Sequence, residues 1–170
     1  MSLVRFLAAA TLASSLLACG SDSPSGTDED DGDGNPIVAP ITATINGVAF
    51  GTTAQTLSNY NGSSHTYILT GAESATGRAI NLTLGDIAAP GTYSIGTSLP
   101  LRLASTSSGT SAWITPLDQT PAVGTVTVSI ATPTRIKGTF SFTAVPSSTA
   151  PGTTGNAVVT NGQFDVTITP

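Results

Sequence analysis

The residues that could do chemistry are few: one cysteine, one histidine and ten carboxylates in a chain of 170 residues. A Ser-His-Asp relay would have to use His65, the only imidazole, as its base. His65 sits in the strand-like SHTYILT, away from any sharp turn that would expose a nucleophilic serine. Acid–base work on a glycosidic bond needs two carboxyl groups about 5–10 Å apart. Outside the acidic tail the candidates are Glu73, Asp86, Asp118 and Asp165. Each falls near an expected turn or, for Asp165, on the polar face of its strand, so the spacing brings no two together. Zinc takes three or four ligands from His, Cys and carboxylate side chains, which one histidine and four scattered carboxylates do not supply. The run Asp31-Gly-Asp33-Gly-Asn35 alternates oxygen donors as a calcium loop does. Pro36, however, stands where an EF-hand places glycine, Thr42 stands where it places the chelating glutamate, and no helical pattern flanks the run. The expectation is a protein that is not an enzyme and holds no metal and no cofactor.

Cys19 is the exception, because its surroundings assign it a use. In MSLVRFLAAATLASSLLAC, Arg5 supplies a positive n-region and Phe6 through Leu17 an apolar h-region of secretory length. The run is too short for a membrane-spanning helix, which needs ~20 apolar residues. Leu16-Leu17-Ala18-Cys19 resembles the lipobox of bacterial lipoproteins. That resemblance implies a signal peptide over residues 1–18, cleavage before Cys19 and a diacylglycerol on its sulfur. Two or more acyl chains hold a protein on a bilayer, where one is marginal. Gly20 follows the cysteine rather than the aspartate that resembles an inner-membrane retention signal, so the expected location is the bacterial cell envelope, at the outer membrane. A lipidated Cys19 leaves no thiol for a disulfide or a nucleophile.

Residues 20–36 carry six of the ten carboxylates, at Asp22, Asp28, Glu29, Asp30, Asp31 and Asp33, among Ser, Gly and Pro. Such a segment cannot offset its ordering entropy, and residues 19–36 are expected to be a disordered tether. As a flexible coil it would span roughly 20–25 Å, more with self-repulsion. Without it, residues 37–170 balance four acids against Arg78, Arg102, Arg135 and Lys137. A neutral domain this poor in cations has no electrostatic footprint for nucleic acid.

Residues 37–170 have the length of one domain. Thr, Val, Ile, Ser and Gly dominate, and apolar residues alternate with period two rather than 3.6. The sets are Ile41, Ala43 and Ile45; Ile80, Leu82 and Leu84; Leu99, Leu101 and Leu103; Val126, Val128 and Ile130; Phe140, Phe142 and Ala144; Phe164, Val166 and Ile168. Each set would line a buried face, with polar neighbours in water, as in antiparallel sheets. Asn46-Gly47 and Asn161-Gly162 tolerate the positive φ of a type I′ turn. Two hairpins are therefore expected: one placing Ile45 opposite Val48 and Ala43 opposite Phe50, the other placing Val159 opposite Phe164. Pro90-Gly91 and Pro151-Gly152 mark further loops. Strands near 41–45, 48–52, 65–70, 79–84, 92–96, 99–105, 110–114, 124–130, 136–144, 156–160 and 163–169 make an all-β fold. It is expected to be an antiparallel β-sandwich or partly closed barrel of about ten strands.

INGVAF, GTYSI, GTVTVSI, IKGTFSF and TNGQFDVTI, in that order across residues 41–169, resemble an uncharacterised domain family of bacterial lipoproteins. The resemblance implies an extracytoplasmic β domain and carries over no catalytic residue. Two functional classes follow. One is a module that binds a ligand, a glycan or an envelope protein; the other is a structural or accessory lipoprotein without a specific small-molecule ligand. A binding face would use aromatic side chains, and the candidates are Trp113, Tyr60 and Tyr67. In SAWIT, Trp113 shares a strand face with Ser111 and Thr115, and this face is expected to point outward.

Overall fold

The structure, a computed structural model, describes residues 39–53 and 57–168. The expected signal peptide, Cys19, the expected tether and the calcium-like run lie outside the described residues. The strands are β1 (Ile41–Ile45), β2 (Val48–Gly51), β3 (Leu57–Asn61), β4 (Thr66–Glu73), β5 (Arg78–Leu84) and β6 (Gly91–Ile95). They continue with β7 (Thr97–Ser98), β8 (Leu101–Ser108), β9 (Ser111–Ile114), β10 (Gly124–Thr132), β11 (Arg135–Pro146) and β12 (Ala157–Thr167). Every pairing is antiparallel, the described residues hold no helix, and one continuous sheet runs β2-β1-β12-β11-β9-β8-β5-β4-β3 without closing. β10 joins it on β11 and carries β6, while β7 joins it on β8.

β11 makes the bend between two halves. Its first ten residues pair with β10 and β12, while Val145 and Pro146 at its end pair with β9. The sheet folds over a single core fed from both sides: Ile41, Val126, Phe140 and Phe164 from the first half, Tyr67, Leu69, Ile80 and Leu82 from the second. The halves also meet directly, since a Cβ on Gly71 of β4 would come within 3.1 Å of the Ile41 side chain of β1. The result is the expected all-β, antiparallel class: where a sandwich or partly closed barrel of about ten strands was expected, the described residues form one twelve-stranded sheet, folded over its core and not closed.

The first half is bent at two bulges, one in β10 and one in β12, which between them shift three pairings. Register shifts interrupt β1–β12 between Thr42 and Thr44, β10–β11 between Val128 and Ile130, and β11–β12 between Phe140 and Phe142. Three of its four phenylalanines pair with a cross-strand glycine: Phe142 with Gly124, Phe140 with Gly162 and Phe164 with Gly138, while Phe50 pairs with Ala43. A Cβ on Gly138 would sit 2.7 Å from the Phe164 ring and one on Gly162 2.6 Å from the Phe140 ring. The rings occupy the volume that side chains at these glycines would need, which is how aromatic residues stabilise glycine-bearing strands.

The two Asn-Gly pairs behave differently. Asn46 (φ 49°) and Gly47 (φ 82°) form the expected tight turn, with Ile45 opposite Val48 and Ala43 opposite Phe50. The Asn46 side chain also accepts a 2.8 Å bond from Val158 N–H of β12. Asn161-Gly162 is not a turn. Asn161 has a φ of 52° inside an unbroken β12 and forms its bulge, so Val159 and Phe164 lie on one strand, opposite Phe142 and Gly138 of β11.

In the second half the set Leu99, Leu101 and Leu103 does not line the core. Leu99 lies in the turn before β8 and is 93% exposed. Ala104 and Thr106 are the buried residues of β8, because the strand's even positions face inward against Leu82 and Ile80 of β5. The polar β3, LSNYN, had no alternating apolar signal; it forms because β4 offers it a free edge.

Candidate functional site

The three aromatic candidates all turn toward the core. Tyr67 is only 1% exposed, and its hydroxyl donates a 3.0 Å bond to the Thr132 carbonyl across the molecule. Burial, with the Tyr60 hydroxyl nearby, pushes the Tyr67 phenol up. Tyr67 therefore offers no surface to a ligand in this fold. Tyr60, its partner on β3, is half-buried and packs against it with ring centroids 4.6 Å apart. Trp113 is half-buried and sits against the core, separated from the Tyr67 strand by two others, β8 and β5.

The alternation expected in SAWIT is present, but the faces are exchanged. Thr115 is buried and Ile114 exposed, so the face shared by Ser111, Trp113 and Thr115 is the inward one. Trp113 pairs with the buried Thr106, and its indole N–H donates a 2.9 Å bond to the Gly155 carbonyl. It packs under the loop between β11 and β12. The Thr115 hydroxyl, which both donates to the Ala104 carbonyl and accepts from its N–H, is what makes a threonine tenable on the inward face.

The ionisable groups are dispersed, and most are occupied. Glu73 and Arg78 bracket the β4–β5 turn in a 2.6 Å ion pair, and Arg78 also donates to the Ala49 carbonyl of β2. Burial pushes the Glu73 carboxyl up, but the Thr76 hydroxyl and Arg78 guanidinium outweigh it and hold Glu73 below the usual carboxylate range. Bonds from Ser98 hold Asp118 low, and the Arg135 guanidinium does the same for Asp165. His65 occupies a left-handed turn before β4. Its loop is joined to the Asp86 loop by the backbone bonds Asp86 N to Ser64 O and Ile87 N to His65 O. Among the described residues no three His, Cys, Asp or Glu side chains gather into a metal-binding group.

What the fold does gather is an outward-facing field of hydroxyls and amides on the first half. Cross-strand pairing sets Thr92, Thr127, Thr139, Gln163 and Thr42 in one row over β6, β10, β11, β12 and β1. A second row holds Ser94, Thr125 and Ser141. Thr92 and Thr127 hydroxyls stand 3.0 Å apart. Two open depressions lie on this face. One, of about 490 Å³, is bordered by Thr125, Thr127, Ser141, Thr160 and Asn161. The other, of about 220 Å³, is bordered by Pro40, Thr42, Ser129, Lys137 and Asp165. Thr139 and Gln163 border both. The two bulges adjoin these hollows, at Asn161 and Ser129, consistent with the way a bulge bends a strand and re-aims its side chains.

Charge on this face is paired. Asp165 takes two 2.8 Å bonds from Arg135 and lies 3.2 Å from Lys137 Nζ. The signal for the face was present in the alternation itself, in Thr125, Thr127 and Ser129 and in Thr139, Ser141 and Thr143. It was legible only as a wet side, because the bulges that hollow it were not.

Fold and face together define a β domain whose most developed surface is a polar, hollowed sheet face. Residues 39–166 match the domain of unknown function DUF6252, and the chain belongs to that family. No curated protein and no solved structure matches the chain.

Proposed function

We propose that this protein is a non-enzymatic lipoprotein of the bacterial envelope, anchored through a lipid on Cys19, whose β domain is a binding module for a ligand, glycan or envelope protein. The site is the hollowed outer face of the first half. The observation that carries the reading is the coincidence on one face of two β-bulges, at Ser129 of β10 and Asn161 of β12, two depressions and an unbroken run of donor–acceptor side chains. Bulges beside a site are a recurrent way to aim side chains at a ligand. The anchor rests on Leu16-Leu17-Ala18-Cys19 and the apolar run before it, and the outer membrane rests on Gly20. A role without nucleic acid follows from the balance of four cations against four acids in residues 37–170.

The burial of Tyr67 and Trp113 favours the second reading, an accessory lipoprotein whose job is positional. One experiment separates the two. The full chain carrying Cys19→Ala, immobilised, is expected to retain a component of envelope extract, and Thr139→Val with Gln163→Leu is expected to release it. No retention by the parent leaves the accessory reading in its place. Acyl labelling of the membrane-bound protein, present in the parent and lost in Cys19→Ala, tests the anchor independently.

A further inference from the structure

We infer that the outer face of the first half takes an uncharged polysaccharide laid across the strands; the inference rests on the proposal that this face is a binding surface, and it names the ligand class. The lining decides the chemistry. Around the larger depression the side chains are Thr125, Thr127, Thr139, Ser141, Thr160, Asn161 and Gln163, together with Phe140. Every polar one of these both donates and accepts. Sugar hydroxyls do the same, so each contact can form in either direction. No charged side chain borders that hollow. In the smaller one, Lys137 and Asp165 face each other at 3.2 Å, and Arg135 closes on the same carboxylate. An anion finds no free cation there, and a cation no free carboxylate.

Other occupants fit less well. An extended peptide adding to a sheet needs a free strand edge, whereas β10, β11 and β12 are each paired on both sides. An apolar ligand needs exposed aromatic or aliphatic lining, but Phe140 and Phe164, which also border the hollows, are buried core residues whose rings stack on each other. Nucleic acid needs several cations aimed at phosphates. A neutral polymer of hydroxyl-bearing rings is what remains.

The shape further indicates a chain rather than a single sugar. The two depressions share Thr139 and Gln163, so they form one path from β10 to β1. With strands 4.7–4.9 Å apart, that path is roughly 15 Å long. Each hydroxyl contact competes with water and contributes little alone, so affinity accumulates through contacts made together along the polymer.

The test is affinity electrophoresis of the full chain carrying Cys19→Ala, through gels containing a neutral glucan, a neutral mannan or acidic polygalacturonate. Retardation is expected in at least one neutral polymer and not in polygalacturonate. The free monosaccharide of the retarding polymer should need at least a hundredfold higher concentration of sugar units to compete. Thr139→Val with Gln163→Leu should weaken retardation about tenfold, while Thr70→Val with Thr83→Val on the second half's outer face should leave it unchanged. Unaltered melting temperatures will show that all variants fold. Free passage through both neutral polymers overturns the inference, as does equal retardation by polygalacturonate or indifference to the Thr139 and Gln163 changes. Envelope retention that survives periodate oxidation of vicinal diols overturns the glycan while leaving the binding module standing. No envelope retention at all removes both.

Discussion

The two halves of the sheet share one core but differ in how they were built. In the first half, β6, β10, β11, β12, β1 and β2 carry all three register shifts and all three phenylalanine–glycine pairs. In the second, β3, β4, β5 and β8 pair without a single shift over as many as seven consecutive positions. Their outer faces differ in step. The irregular half shows water mostly threonine, serine and glutamine, with Val158 on β12 and Val48 on β2 as its exposed aliphatics. The regular half shows Leu57, Ile68 and Leu101, exposed by 63%, 46% and 44%, with Thr70, Asn81, Thr83 and Ser105 between and around them. Scattered exposed aliphatics are ordinary on a soluble surface. The hollows lie where the strands are bent, so strand irregularity rather than composition alone makes the candidate site.

The sharpest way to break this contrast is to fill a glycine. Gly138→Ala pushes a methyl group into the Phe164 ring and the β10 backbone, and should cost about 3 kcal/mol, at the top of the range for overpacking. Gly109, in the open β8–β9 turn with a φ of 57° and nothing within 4 Å, should lose only about 1 kcal/mol on the same change. Denaturant unfolding of the two variants reads the difference; equal losses would mean that the phenylalanine–glycine pairs do not organise the first half.

Trp113→Ala tests the inward placement of the β9 indole. A loss of about 3 kcal/mol by denaturant unfolding is expected, the lower end for an emptied aromatic site because the ring is only half-buried. A loss near zero would return Trp113 to an outer face. Asn161→Val then probes the bulge, since a β-branched residue tolerates positive φ poorly: roughly 1–2 kcal/mol is expected. Asn161→Gly should be nearly neutral by the same measurement.

Two smaller effects complete the comparison. The Glu73 carboxyl has a lowered pKa when folded, so its contribution is complete above the unfolded value of ~4.3 and is lost as the pH falls through the folded value. Glu73→Gln should therefore flatten the acid limb of the melting-temperature curve and leave its shape near neutrality unchanged. Finally, Thr139→Val on one outer face and Leu101→Thr on the other should each move stability by less than about 0.5 kcal/mol. A larger loss at Thr139 would give the polar face a structural rather than a binding role.

Local pattern was enough for the all-β class and most strands, and for the Asn46-Gly47 hairpin with its pairs Ile45–Val48 and Ala43–Phe50. Period two and positive-φ turn residues act over a few positions, and a sequence displays them directly. Three features needed the tertiary structure. In β12 the buried residues shift from Ala157 and Val159 to Phe164 and Val166, a change of parity. A two-residue turn and a one-residue bulge at Asn161-Gly162 both produce that change, and only pairing with β11 on one side and β1 on the other selects the bulge. In β8 and β9 the alternation of residues was readable but its direction was not. Leu101 and Leu103 lost the inward side to Ala104 and Thr106, and Trp113 took the inward side with Thr115. Which side of a strand faces the core is fixed by its neighbours, β5 for β8 and β8 for β9, and by how well the opposing layer fills the space, information that period two does not contain. The hollowed polar face has the same origin: its threonines are local, and the bulges that shape it exist only once distant strands are paired.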